Sequence, residues 1–198
     1  GFERGLHGDL DGALACLGDG LEQDRMWGGT GIGEAVGRAL SVCCHLDRGD
    51  VGAARQVADG LTPGPVFGEG ERLLGQAQAR LLLAEGRPAE ALAVLEAVPT
   101  GIAIANPAWN PWRGVRAAAL HASGQAARAL ASAAEQVELL RAWGAPAALG
   151  QGLCQLGELR GAEGADDLRE AVALLAGTPA AVALARARCA LGRLPQVP

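Results

Sequence analysis

Apolar and polar positions along the chain follow a recurring order: a glycine, a polar pair, then an Ala- and Leu-rich run. It stands as GDLDGALACL at Gly8, GDVGAARQVA at Gly49, GRPAEALAVL at Gly86, GQAARALASA at Gly124 and, in degenerate form, GADDLREAVALL at Gly164. The spacings are 41, 37, 38 and 40 residues. In the first four copies an alanine follows the glycine by five residues: Ala13, Ala54, Ala91 and Ala129. This pattern predicts a helical hairpin. Glycine ends one helix in the left-handed conformation that other residues resist, and the polar pair opens the next. The small alanine lets the second helix lie close to the first, while Leu17, Leu95 and Leu175 fill the seam.

The stretches upstream of three of these glycines predict the first helix of each pair, over Glu34 to Arg48, Glu69 to Glu85 and Pro111 to Ser123. Pro111, Pro146 and Pro179 fall where a first helical position is expected, after Asn110, Ala145 and Thr178. One hairpin cannot bury its apolar face alone, so pairs repeating at this length predict an all-α, TPR-like solenoid of antiparallel helix pairs in a right-handed superhelix. The tetratricopeptide class has the same G-x-x-x-x-A turn in a repeat of about 34 residues. The longer period here implies extended connectors at Leu61 to Gly68 and Pro99 to Asn110. A single repeat domain over 1–198 is expected, with repeats near 1–30, 31–68, 69–105, 106–144 and 145–177 and a half repeat at 178–194. GDLDGALACL reads as a second helix without its partner, and Ala180 to Gly192 as a first helix whose partner never arrives. Together with a start at Gly1 rather than methionine, this suggests a piece of a longer array.

Composition supports helices. Of 198 residues 49% are apolar and 20% charged, whereas aromatics make up 3% and tyrosine is absent. A chain so rich in Ala and Leu brings little β-branched or aromatic bulk to a sheet. All 17 basic residues are arginine. Without lysine there is no P-loop lysine and no Schiff-base amine. A net charge of -5 argues against direct nucleic-acid binding by this segment. Five cysteines without C-x-x-C spacing suit small buried hydrophobes in a reducing cytoplasm. The most apolar stretch, Ala171 to Ala185, is broken by Gly177, Thr178 and Pro179 and falls short of the roughly 20 residues that span a bilayer. No signal peptide precedes the first repeat, and no membrane association is expected.

Candidate chemistry centres on NPAWNPWRG at 106–114. Asn110 suits an N-cap and Pro111 the first turn, with Trp112 wedged between hairpins. Trp109 precedes the cap and either staples the first turn or projects into a groove. Arg113, Arg116 and His121 follow on the same helix and could receive an anionic or polyhydroxylated effector. Gln76 and Arg80, spaced i and i+4, form the matching side of the preceding first helix. The expected effector- or partner-binding groove is therefore Gln76, Arg80, Trp109, Arg113, Arg116 and His121.

WGGTGIGEAVG at Trp27 lacks the third glycine of G-x-G-x-x-G, Val36 standing in its place, and reads as a connector. Cys43, Cys44 and His45 are consecutive and on a helix diverge, which disfavours a shared zinc. His7 carries no signal. No Ser-His-Asp set, paired carboxylates or H-E-x-x-H run occurs, so neither catalysis nor a cofactor is expected.

Residues 70 to 194 carry a resemblance. GRPAEALAVLE, NPAWNPWRGVRAAALHASGQAARAL, LLRAWGAPAALGQGLCQLGELRG and LREAVALLAGTPAAVALARARCALG are similar, in that order, to the helical repeat region of the large ATP-binding LuxR-family transcriptional regulators of the actinobacterial type. The resemblance implies repeats lying between a P-loop ATPase and a DNA-binding helix-turn-helix, neither of which is in this sequence. Members of that family include sugar-sensing activators of maltose genes and activators of biosynthetic clusters, with no single common ligand. The implied role is a sensor segment that binds a small-molecule effector or a regulatory protein; a scaffold for protein contacts, including self-association, is the alternative.

Overall fold

The computed structural model describes residues 2–28, 32–59, 68–97 and 106–194. Among them every regular element is helical: α1 (Phe2–Leu6), α2 (Leu10–Met26), α3 (Ile32–Asp47), α4 (Val51–Asp59), α5 (Glu69–Ala84), α6 (Pro88–Ala97), α7 (Trp112–Ala122), α8 (Ala126–Trp143), α9 (Pro146–Arg160), α10 (Ala165–Ala176) and α11 (Ala181–Arg193), with a 3-10 turn at Gly161–Gly164. None of these helices is long and apolar enough to cross a membrane. The protein is all-α. It divides into two compact units, one holding α2 to α6 and the other α7 to α11.

The repeated glycine turn has one geometry at four places. Gly8, Gly49, Gly86 and Gly124 have φ of 84°, 80°, 74° and 74°. The next residue donates its N–H back five positions, Asp9 to Arg4, Asp50 to His45, Arg87 to Leu82 and Gln125 to Leu120, at 3.0, 2.9, 2.8 and 2.9 Å. This Schellman bond satisfies carbonyls that a helix end leaves open. The same residue's carbonyl then accepts the N–H of Ala13, Ala54, Ala91 or Ala129, opening the next helix. All four alanines are 0% exposed, so a larger side chain has no room there.

The fifth copy differs. Gly164 has φ of -85°, and the positive φ, 62°, belongs to Gly161 at the start of the 3-10 turn. Arg169 stands where the alanine would be and is exposed; Leu168 and Ala171 are buried instead.

In the first unit α3 packs against α2, α4 and α5, and α5 carries α6. Its core is small-residue rich: Ala35, Ala39 and Val42 of α3 and Ala77, Ala79 and Leu81 of α5. In the second unit α9 is the hub, packed on α8 and α10 and reached by α7 and α11. Leu140, Leu153, Leu168 and Leu175 fill its interior. Glycines along α9 allow the close approach: a methyl on Gly150 would meet Leu175 Cγ at 2.6 Å, and one on Gly152 would meet Leu140 at 3.1 Å.

The first helices lie within two residues of their predicted limits, and Pro146 opens α9 as expected. Pro179 does not open α11. Thr178 Oγ1 donates to Leu175 O at 2.9 Å and accepts the Ala180 N–H at 3.3 Å, and this turn delays the helix to Ala181. The expected Trp27 connector is shorter than WGGTGIGEAVG suggests, because α3 already runs from Ile32. Gly37 within it is a packing position, where a methyl would come 2.8 Å from Leu21. Residues 29–31, and most of the connectors expected at Leu61 to Gly68 and Pro99 to Asn110, lie outside the described residues.

Candidate functional site

The approach to α7 is held by Asn106. Its Oδ1 accepts the N–H groups of Ala108 and Trp109 at 2.9 and 3.2 Å, an Asx turn that organises NPAW. Asn110 is not the cap that its position suggested. It is 7% exposed, its Oδ1 has no partner among the described residues, and α7 begins after Pro111 without a side-chain cap. Asn110 contributes its backbone carbonyl, which accepts the Trp112 N–H at 2.9 Å. The amides that secure this segment are Gln136 of α8, donating from Nε2 to Pro107 O at 2.9 Å, and Gln155 of α9, donating to Gly114 O at 2.7 Å. Neither amide stood out in the sequence, since a lone glutamine on a helix carries no pattern.

Trp109 is half-buried in this turn. Arg113 works within the α7–α8 hairpin: its guanidinium lies 4.5 Å over the Trp112 ring and pairs with Glu135 at 2.7 Å, while its carbonyl accepts Ser132 Oγ at 3.0 Å. Such stacking and pairing hold the cation in place. Arg116 is half-buried and makes no ion pair or hydrogen bond among the described residues; His121, in the last turn of α7, is exposed. Of the four candidates in this unit, Arg116 and His121 keep polar groups available.

The other two candidates belong to the first unit. Gln76 is 9% exposed and its Oε1 is buried without a partner among the described residues. A buried acceptor left so costs about 1–3 kcal/mol. Arg80 reaches from α5 to α3 and pairs with Asp47 at 2.9 Å. Cys43, then Asp47, hold its guanidinium above the ordinary range, against the opposing effect of burial. Gln76 and Arg80 do share a face, as their spacing implied, but Arg80 spends its charge on α3. Burial pushes the Cys44 thiol up, with Asp47 adding to it. Among the described residues no group of three His, Cys, Asp or Glu is placed to hold a metal.

A cavity of about 280 Å³ lies where α2 and α4 flank α3. Leu14, Leu21 and Val57 supply apolar wall, Gly18 leaves the α2 side open, and Arg25, Arg38 and His45 converge on it. Its volume falls just below the roughly 300–1,000 Å³ typical of small-molecule sites. Arg38 is already engaged: it pairs with Glu34 at 2.8 Å and donates from Nη1 to the Val57 carbonyl at 3.4 Å. Arg25, exposed on the last turn of α2, has no ion pair among the described residues. His45 Nδ1 is buried without a partner among the described residues. Leu14, Gly18, Leu21 and Arg25 follow one stripe of α2, and Arg38 and His45 one stripe of α3. That spacing is visible in the sequence, yet it is indistinguishable there from an ordinary amphipathic face.

No family model matches this chain, and neither curated proteins nor solved structures give a match.

Proposed function

We propose that this chain is a ligand- or protein-sensing TPR-like repeat module of a bacterial LuxR-type transcriptional regulator, acting in the cytoplasm and passing its bound state to ATPase and DNA-binding modules outside this sequence. The observation that carries the reading is the hairpin turn repeated at Gly8, Gly49, Gly86 and Gly124 with the same φ and the same pair of backbone bonds. Repeated hairpins of this kind build surfaces for binding rather than a reactive centre. The similarity of NPAWNPWRG and the segments after it to the large ATP-binding regulators adds the regulatory context. An effector that prefers one conformation of the module shifts the population toward it, which is the whole energetic basis of the signal.

The test is a thermal-shift screen of the chain against bacterial metabolites, because a ligand that binds the folded state raises its stability by mass action. A saturable rise of several degrees with one chemical class is expected. A flat response across a broad library, with no nucleotide-binding or helix-turn-helix sequence flanking the segment in its parent gene, overturns the reading.

A scaffold for protein contacts is the second reading. Met26 and Trp27 at the end of α2 and Ile32 at the start of α3 favour it, being 68%, 87% and 52% exposed. If the chain self-associates through them, Trp27→Ser returns it to monomer in sedimentation.

A further inference from the structure

We propose that the cavity flanked by α2 and α4 over α3 binds a small carboxylate with an apolar tail. The proposal rests on the reading of the chain as a binding module and names one site and one ligand class for it.

Three features of the cavity select this chemistry. The walls that Leu14, Leu21 and Val57 form reward an apolar body, and Ser41, the hydroxyl at the site, already donates to the Gly37 carbonyl at 2.8 Å. The charge at the mouth is positive and partly uncompensated. Glu34 neutralises Arg38, while Arg25 has no anion of its own among the described residues. A guanidinium presents a planar fork of donors that matches a carboxylate in two parallel hydrogen bonds. The volume of about 280 Å³ suits a short chain or a single ring. A cationic ligand would meet Arg25, which has no ion pair among the described residues.

The occupant would sit with its tail between Leu14, Leu21 and Val57 and its carboxylate toward Arg25. Because α3 and α4 form one hairpin through the Gly49 turn while α2 precedes it, filling the cavity ties α2 to that hairpin and stiffens this part of the first unit.

Octanoate is the probe, titrated calorimetrically into the 198-residue chain, with 1-octanol as the uncharged counterpart and propionate as the tail-less one. Saturable one-to-one binding of octanoate is expected, with 1-octanol at least tenfold weaker and propionate without measurable heat. Arg25→Gln should weaken octanoate at least tenfold. Gly18→Phe should abolish binding without harming the fold, since a Cβ at Gly18 meets nothing within 4 Å and a helix interior gains from losing glycine. Circular dichroism melting of both variants checks that they remain folded.

Failure of octanoate to saturate, equal binding of 1-octanol, or unchanged binding in folded Gly18→Phe each overturns the proposal. A chain that ignores octanoate but is stabilised by another metabolite refutes this site and leaves the sensor reading standing. A parent gene without the flanking modules does the reverse.

Discussion

Gly164 and Gly157 press backbone to backbone: a methyl on Gly164 would overlap the Gly157 carbonyl, and one on Gly157 would lie 2.7 Å from Leu168 Cγ and 2.9 Å from the Gly164 carbonyl oxygen. The pair sets how closely α10 can lie on α9. Neither residue has a positive φ, so it is space rather than backbone freedom that requires glycine here.

Gly164→Ala should therefore lower stability by about 2–3 kcal/mol, the upper part of the overpacking range, and reduce the melting temperature by several degrees. Gly20→Ala is the control. It lies inside α2 with nothing within 4 Å of a Cβ, and should stabilise by about 0.5–1 kcal/mol. Thermal melts of the two variants compare them directly; a neutral Gly164→Ala would show that α9 and α10 part freely.

The repeated turn makes a second prediction. Ala129, five residues after Gly124, is 0% exposed, and enlarging it forces α8 away from its neighbours. Ala129→Leu should cost about 1–3 kcal/mol. Gly124→Ala, placed at φ of 74°, should cost about 1–2 kcal/mol for the left-handed conformation alone. Ala127→Leu, at an exposed position of the same helix, should change stability by less than about 0.5 kcal/mol. Urea titrations of the three variants check the order.

Cys154 couples burial to pH. Burial in α9, reinforced by Glu158 and opposed by Arg186, pushes its thiol up to about 11. The folded state thus holds the proton more tightly than the unfolded chain, whose thiol titrates near 9.0. The contribution to stability is complete below pH 9 and declines as pH rises toward 11, by up to about 1.4 kcal/mol per pH unit. Cys154→Ala should flatten that part of the profile. At pH 8 the exposed Cys16 and Cys189 should react with a thiol reagent while Cys154 stays protected until denaturant is added. Prompt labelling of Cys154 in the native protein would contradict its burial.

The arginines proposed as a binding face should separate by mutation. Arg80→Ala breaks the pair with Asp47 across α3 and α5 and should cost about 1–2 kcal/mol. Arg116→Ala has no pair to break among the described residues and should leave the melting temperature within about 1 °C. Equal losses in the two variants would mean that Arg80 contributes no more to the fold than a surface arginine.

The hairpin turns were legible because their causes are local. A glycine that accepts positive φ, a following residue that bonds five positions back, and an alanine five positions on all lie within about a dozen residues, so Gly8, Gly49, Gly86 and Gly124 announced themselves. Where a longer-range neighbour intervened, the reading shifted. Asn110 has the side chain of a cap but is buried without capping α7, and Asn106 organises the turn instead. Gln76 and Arg80 lie four positions apart on α5, a spacing that the local pattern carries. That the face meets Cys43 and Asp47 of α3, about thirty positions away, has no trace in the local pattern.

The chain's own order of residues thus determined the all-helical class, the hairpin boundaries within a few residues and the small-residue seams. Tertiary structure alone decided which arginines carry structural pairs, where Gly157 and Gly164 bring two helices into contact, and that Leu14, Arg25, Arg38 and Val57 surround one cavity. Backbone bonding is settled between near neighbours, whereas the surroundings of a side chain are set by whichever distant helix packs against it.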